Sequence, residues 1–572
     1  MPFLTSFYEE QSSAIEPEPN HREETGWTSV LLGATAVNCI VQIAWFWSSH
    51  VRNITMDGVN YIGLARHLLD GNFKASVHGY WSPLISWMIA AGGLFSQNFT
   101  LVGRMVTIAT FLLCLPLLYL LTLRLWHSPS AAALAVFWFS CARGLIATAV
   151  GMILADFLLT ACVLFYFILL LGAVRQNSAR SWAQLGGAHG LAFLAKAISM
   201  PWLAISSAIA ILAQNWRAPR RMVASLLLVF LCPALIWISW GSALRAKYGT
   251  LTSGYQLRAN LMINWNRHLA GRRGADSLAF INHPSLYDNY MVYEPWPEVH
   301  RFRLNNSAML SMIVATEARN LPAAVKETVI LVTPAGALAL LLMLWLLLCD
   351  PHRYFAEAVF AGIAAVSSLA LIAAYCMLVF DGRYVIPLTP ILIAIGCPLL
   401  LPARLAPSAP HLKPWLQKLL VGLLAASLVF FAVYWASPFR TANRDFELSC
   451  YEAATTLRQS APSGTLASIG EGPYPEHGVG FEMGAYVSYL AGWRLIAANA
   501  GLPPPSGAKM LADAALASHA DAVAVWGSPA NATYSAIVAQ LKIAPGVSLF
   551  RSFSDPSKGE VGTIFVFTPK SG

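Results

Sequence analysis

Three carboxylates, three cations and a few tyrosines stand where apolar runs of this chain give way to polar ones, and their types suit one kind of chemistry. Asp57 opens the run MDGVNYIGLARHLLDGN, and Tyr61 follows four residues on, on the same side of a helix. Asp156 starts an apolar run, Lys196 ends another in GLAFLAK, and Asp381, Arg383 and Tyr384 open a third in FDGRYVIPLTPILIAIG. Arg143 precedes Asp156 in the turn CARGLIATAVGMILAD, while His78 and Tyr80 lie in HGYWSPLISWM. A carboxylate can take the proton of an attacking hydroxyl, and cations or phenols can hold a departing phosphate. Such a set suits transfer of a group from a phosphate to a hydroxyl. Each residue also has a structural role open to it. Asp57 and Asp156 could cap helices, and Arg383 could snorkel to the interface.

The elements that must position these residues are membrane helices. Of 572 residues, 57% are hydrophobic and only 11% charged, against roughly a quarter in soluble proteins. The formal net charge of +9 is no nucleic-acid signal, because the Lys and Arg residues cluster in short loops between apolar spans. Nine cysteines, all but Cys450 in or beside apolar spans, show no disulfide or metal-ligand spacing. Residues 1–26 read as a disordered cytoplasmic tail. The first span, Trp27 to Trp47, reads as uncleaved. Met56–Asn72 and Pro83–Phe95 read as surface helices, the second too short to cross.

About eleven crossings are expected, including Thr328–Leu348, Tyr384–Leu401 and Leu416–Trp435 as single spans. A large outer loop should cover 241–327 within a membrane domain of 27–436. From 437 to 572, β-like and helical runs alternate, which predicts a small α/β domain. Arg124, Arg175, Arg180, Arg217, Arg220, Arg221, Arg353 and Arg404 all fall on one face, expected to be cytoplasmic. Asp57, Asp156, Lys196, Arg383 and the C-terminal domain then fall outside an inner (plasma) membrane. Lys196 and Arg383 sit on the side that the rule disfavours for positive charge.

In this order the motifs resemble the C-type (GT-C) membrane glycosyltransferases, among them protein O-mannosyltransferases and the lipid A aminoarabinose transferase. Asp57 with Tyr61 resembles the first-loop acidic motif, and YWSPL (Tyr80–Leu84) stands in place of a Pro-Pro-Leu stretch. Asp156 is similar to the acidic residue opening the fourth span. GLAFLAK resembles a Gly-Leu…Lys-Gly stretch, and RYVIPLTP an Arg-Tyr…Pro…Pro stretch. The chain departs from the pattern at Trp81 and Ser82, where a basic residue often precedes the prolines; His78 is the candidate substitute. The resemblance implies a polyprenyl-phosphate sugar donor, an acceptor hydroxyl on lipid, glycan or protein, and reaction on the extracytoplasmic side. It carries no implication of nucleic-acid binding.

The chemistry agrees. The leaving group is a phosphate with a second pKa of about 6, so it needs cations rather than a general acid. One base then suffices, and direct displacement inverts the anomeric centre. Asp57 is expected as base and Asp156 as positioner. Tyr61, His78, Tyr80, Arg143, Lys196, Arg383 and Tyr384 are expected around the substrate. Arg258, Arg267, His268, Arg272 and Arg273 of the outer loop are further phosphate candidates, or simply a solvated basic loop. No cofactor is implied; a divalent cation is compatible, but no Asp-x-Asp lies near Asp57 to specify one. A transporter of lipid-linked sugars would also need charges at one face, although the chain lacks internal repeats and deep carboxylates. A non-catalytic assembly subunit is the third class.

Overall fold

Caps and prolines set where the helices begin and end. The computed structural model describes residues 21–50, 54–142, 144–261, 281–282, 307–350, 352–378, 380–470, 480–498, 507–527, 529–555 and 559–567. The first helix, α1 (His21–His50), begins inside the stretch expected as tail. Thr55 then caps α2 (Met56–Leu69), its hydroxyl accepting from the Gly58 N–H at 3.1 Å. Asp57 is therefore not the cap, and that role for it falls. α3 (Leu84–Gly93) has ten residues, about 15 Å, and is too short to span.

The membrane body follows as α4 (Phe99–Trp126), α5 (Pro129–Cys141), α6 (Leu145–Gly151), α7 (Asp156–Gln176), α8 (Ala179–Ala195), α9 (Ser199–Asn215) and α10 (Pro219–Tyr248). α8 packs on α10 through Gly186 and Gly190, one turn apart. A Cβ on Gly186 would stand 2.6 Å from the Val229 carbonyl oxygen. Close approach of small residues of this kind is how helices associate where lipid offers no hydrophobic drive.

Beyond the outer loop come α11 (Ser307–Val332), α12 (Pro334–Cys349), α13 (Phe355–Cys376) and α14 (Thr389–Gly396). Two expected single spans differ here. Thr328–Leu348 is broken between α11 and α12 by a 95° bend at Thr333, whose φ is 69°. Pro334 disfavours the α conformation for Thr333, and the Thr333 hydroxyl caps the new helix at Gly336. Tyr384–Leu401 is a 3₁₀ turn (Gly382–Val385), then α14, then a second 3₁₀ turn (Cys397–Leu400), punctuated by Pro387, Pro390 and Pro398. Against eleven expected crossings, five described helices are long and apolar enough to span, or seven if each of two bent pairs counts as one. This is an integral membrane protein.

The expected boundary at 437 falls inside a continuous helix, α15 (Pro414–Ser460), of 47 residues. At 1.5 Å per residue it runs about 70 Å, roughly twice the hydrocarbon thickness, and so carries the chain from the bilayer into the C-terminal region. There β2 (Thr465–Gly470), α16 (Gly480–Ala491), β3 (Arg494–Ala498), α17 (Ala508–Ala517), β4 (Ala522–Trp526), α18 (Ala532–Ile543), β5 (Val547–Asp555) and β6 (Gly559–Phe567) build one sheet with β1 (Ile281–Asn282). Its order is β1-β3-β2-β4-β6-β5, with β3, β2 and β4 parallel. β1 comes from the outer loop and pairs antiparallel with β3, Ile281 against Ala498. Cys450, Leu457, Tyr486 and Trp493 belong to the same hydrophobic core as Leu64, Ile85 and Phe157 of the membrane body.

Candidate active site

Element ends bring the site together. Asp57 lies in the first turn of α2, Asp156 is the first residue of α7, and Lys196 is the C-cap of α8. Arg383 and Tyr384 come from the 3₁₀ turn that Asp381 caps by accepting from the Arg383 N–H at 3.1 Å. Asn320 of α11 supports the approach to that turn, donating to the carbonyls of Cys376 and Leu378 at 3.0 and 3.1 Å. These ends share one face of the helix body, because α4, α7 and α10 each join it to the opposite face where Arg124, Arg175, Arg217, Arg220 and Arg221 lie.

One chamber is lined by Asp57, Tyr61, Tyr80, Trp81, Ser82, Asp156, Lys196, Gln256, Arg383 and Tyr384. Its charges are paired. Lys196 Nζ stands 2.6 Å from Asp156 Oδ1, with that carboxylate side chain only 2% exposed. Arg383 Nη1 lies 2.8 Å from Asp57 Oδ2, and its Nε lies 2.9 Å from Asp381 Oδ2. Tyr384 sits between the cations, its ring 5.1 Å from Lys196 Nζ and 5.5 Å from Arg383 Cζ, and it stacks on Tyr375 at 4.2 Å. Burial works against the charge of Arg383, but Asp57 and then Asp381 outweigh it and hold its pKa well above the usual value. Burial first, and the negative charge of Asp57 and Asp156 second, push the Tyr61 phenol well up. Tyr61 therefore remains a proton donor at neutral pH. The room left in the chamber is about 30 Å³, enough for one or two waters.

A second cavity of about 180 Å³ adjoins it and shares Tyr80, Trp81, Ser82, Gln256 and Tyr384 as walls. His78 and Asn260 face this cavity, together with apolar Phe193, Ile198, Trp240 and Leu378. His78 is buried, and its Nδ1 accepts from the Tyr80 and Trp81 N–H groups at 3.0 and 3.3 Å. That bond fixes the HGYWSP loop, so His78 shapes the wall. Tyr80 donates to Asn260 Oδ1 at 3.0 Å, and Ser82 Oγ accepts from the Ala197 N–H at 3.1 Å.

Of the residues expected from sequence, Asp57, Tyr61, Tyr80, Asp156, Lys196, Arg383 and Tyr384 meet in the first chamber. His78 lines only the second. Arg143, Arg267, His268, Arg272 and Arg273 lie outside the described residues, and Arg258 is exposed. Sequence reasoning missed Trp81, Ser82, Gln256, Asn260 and Tyr375 as walls. Trp81 and Ser82 had registered only as a departure from a motif; the polar-aromatic run SGYQLRAN was a usable signal for Gln256 and Asn260. Among the described residues no three His, Cys, Asp or Glu side chains gather as a metal site.

Fold and site together define a polytopic membrane protein, and its fold has a likeness among solved structures. The likeness is to two solved structures of ArnT from Cupriavidus metallidurans, one bound to undecaprenyl phosphate and one in the apo state. Each shows 13% identity and a TM-score of 0.51, covering 94% of this chain and 98% of the other. The arabinofuranosyltransferase AftD from Mycobacteria aligns at 13% identity over 94% of this chain and 40% of its own, with a TM-score of 0.48. No family profile and no curated protein matches the sequence.

Proposed function

We propose that this protein is a membrane glycosyltransferase. It moves a sugar from a polyprenyl-phosphate carrier to a hydroxyl of a lipid, glycan or protein acceptor, with inversion, on the extracytoplasmic face of the inner membrane. One observation carries this reading: two carboxylates and two cations from four separate elements are paired around one chamber at a helix-end face, next to a larger, mostly apolar cavity. The fold shared with ArnT, solved with undecaprenyl phosphate, supports a lipid-linked donor. The basic loops of the opposite face support the orientation.

Asp57 takes the proton of the acceptor hydroxyl as that oxygen bonds to the anomeric carbon. The bond from that carbon to the phosphate oxygen breaks, and its electron pair leaves with the lipid phosphate. Arg383, Lys196 and the Tyr384 phenol receive the growing charge. Asp156 holds Lys196 and orients a sugar hydroxyl. Tyr61 and Tyr80 are substrate contacts, and so are His78 through the second cavity and Arg143. The 30 Å³ chamber must widen to admit the donor, with phosphate replacing Asp57 on Arg383.

Arg383→Lys tests this. Lysine keeps the charge but loses the planar fork that grips two oxygens at once. Turnover with polyprenyl-phosphate pentoses and hexoses should fall roughly 10- to 100-fold, an estimate built on the 1.5–3 kcal/mol of a charged hydrogen bond. Arg383→Ala should fall further. Equal turnover in wild type and both variants removes Arg383 from the reaction.

A further inference from the structure

We infer that the C-terminal α/β domain positions the reaction centre, bracing the helix that carries Asp57 through Arg66 and Tyr489. The Arg66 guanidinium carbon lies 5.0 Å from the Phe99 ring of α4 and 5.2 Å from the Tyr489 ring of α16. A cation thus joins one aromatic ring of the membrane body to one of the C-terminal domain. Tyr489 also bonds the start of α4, its hydroxyl 2.9 Å from Thr100 Oγ1. Arg66 is nine residues along the same α2 whose first turn presents Asp57, about 14 Å along the axis. A helix of 14 residues is marginal on its own and takes its place from what it packs against.

A second, independent contact points the same way. The outer loop supplies Gln256 and Asn260 to the two cavities, and the same loop adds β1 to the C-terminal sheet beside β3. The C-terminal domain therefore touches two parts of the chain that contribute to the site, α2 through α16 and the outer loop through β1. Tyr486 and Val487 of α16 are buried in the core shared with Leu64 and Ala65 of α2, which makes the seam part of the fold's interior. Neither Arg66 nor Tyr489 lines the chamber. They are positioning residues.

The kinetic part of this inference rests on the sugar-transfer reading; the structural part does not. In the full-length protein, Tyr489→Leu removes the ring and the hydroxyl, and Arg66→Met removes the cation at similar length. Hydrogen exchange of the amides in 56–69 should rise in both variants. Turnover should fall about 3- to 30-fold, the range for a cation–π contact of partly buried groups. The dissociation constant for polyprenyl phosphate should stay within twofold, and the double variant should be no slower than the slower single one. Tyr489→Phe keeps the ring and should keep the protection of α2, which guards against a variant that merely folds poorly. Wild-type exchange across 56–69 in Tyr489→Leu overturns the inference. So does a loss of thermal stability with unchanged turnover, or a product of losses in the double variant. Should wild type transfer no sugar at all, the reaction reading fails while the exchange measurement still decides the brace.

Discussion

Asp57→Asn separates chemistry from architecture at one atom. The Asp57–Arg383 pair is neither solvated nor sealed, with side chains 17% and 22% exposed. Breaking a fully buried pair costs about 3–5 kcal/mol and an exposed one about 0–1, so this change should cost about 1–2 kcal/mol of stability. Arg383 keeps Asp381 at 2.9 Å, which holds the cost to the lower end. The catalytic loss should be larger. A general base contributes typically 10²–10⁴-fold, or about 2.7–5.4 kcal/mol, and asparagine cannot accept the proton. Affinity for polyprenyl phosphate should rise or hold, because asparagine no longer competes with phosphate for Arg383. Thr55→Ala is the matched control, since it removes the helix cap for about 1 kcal/mol and leaves the carboxylate in place. The assay is initial-rate sugar transfer beside thermal unfolding and lipid-phosphate binding, all in one detergent. Asp57→Asn with wild-type turnover, or Thr55→Ala as slow as Asp57→Asn, refutes the reasoning.

Three other perturbations follow from the geometry. Lys196→Met strands the buried Asp156 carboxylate and should cost about 3–5 kcal/mol, with most of that recovered, but not the activity, when Asp156→Asn is added; thermal melts of the single and double variants check it. Gly186→Ala pushes a methyl against the Val229 carbonyl and should destabilise the α8–α10 pair by about 1–3 kcal/mol, read as a lowered melting temperature. Cys450 is buried and useless as a topology probe, so an impermeant maleimide should instead label Lys542→Cys, on exposed surface, in right-side-out vesicles without permeabilisation. Labelling that requires permeabilisation reverses the orientation.

The sequence revealed what depends on polarity and much less of what depends on breaks in the chain. Asp57, Asp156, Lys196 and Arg383 were legible because a charge at the end of an apolar run is costly and therefore conspicuous. Their pairing was not legible, since 40 residues separate Lys196 from Asp156 and a far longer stretch separates Arg383 from Asp57. Hydropathy alone joined α11 to α12 across Thr333, because composition does not register a local bend. The Thr-Pro dipeptide at 333–334 did carry that signal. The α/β pattern after Ser460 was readable from alternating runs at β2, β3, β4 and β6, but β5 and β1 were not. β1 is two residues long and lies far upstream in the outer loop. His78 lines the second cavity and not the first, a placement that depends on the fold of its own loop, whose backbone its Nδ1 organises.

The central claim is that the paired charges around Asp57 and Arg383 serve sugar transfer from a lipid phosphate. A doubly labelled donor tests it most directly, with one isotope in the sugar and another in the phosphate of a polyprenyl carrier, supplied to the purified full-length protein in liposomes. Transfer predicts the sugar label on an acceptor and the phosphate label in free polyprenyl phosphate, in equal amounts, with both signals lost in Asp57→Asn. Movement of both labels together from one leaflet to the other, with no free polyprenyl phosphate, contradicts it.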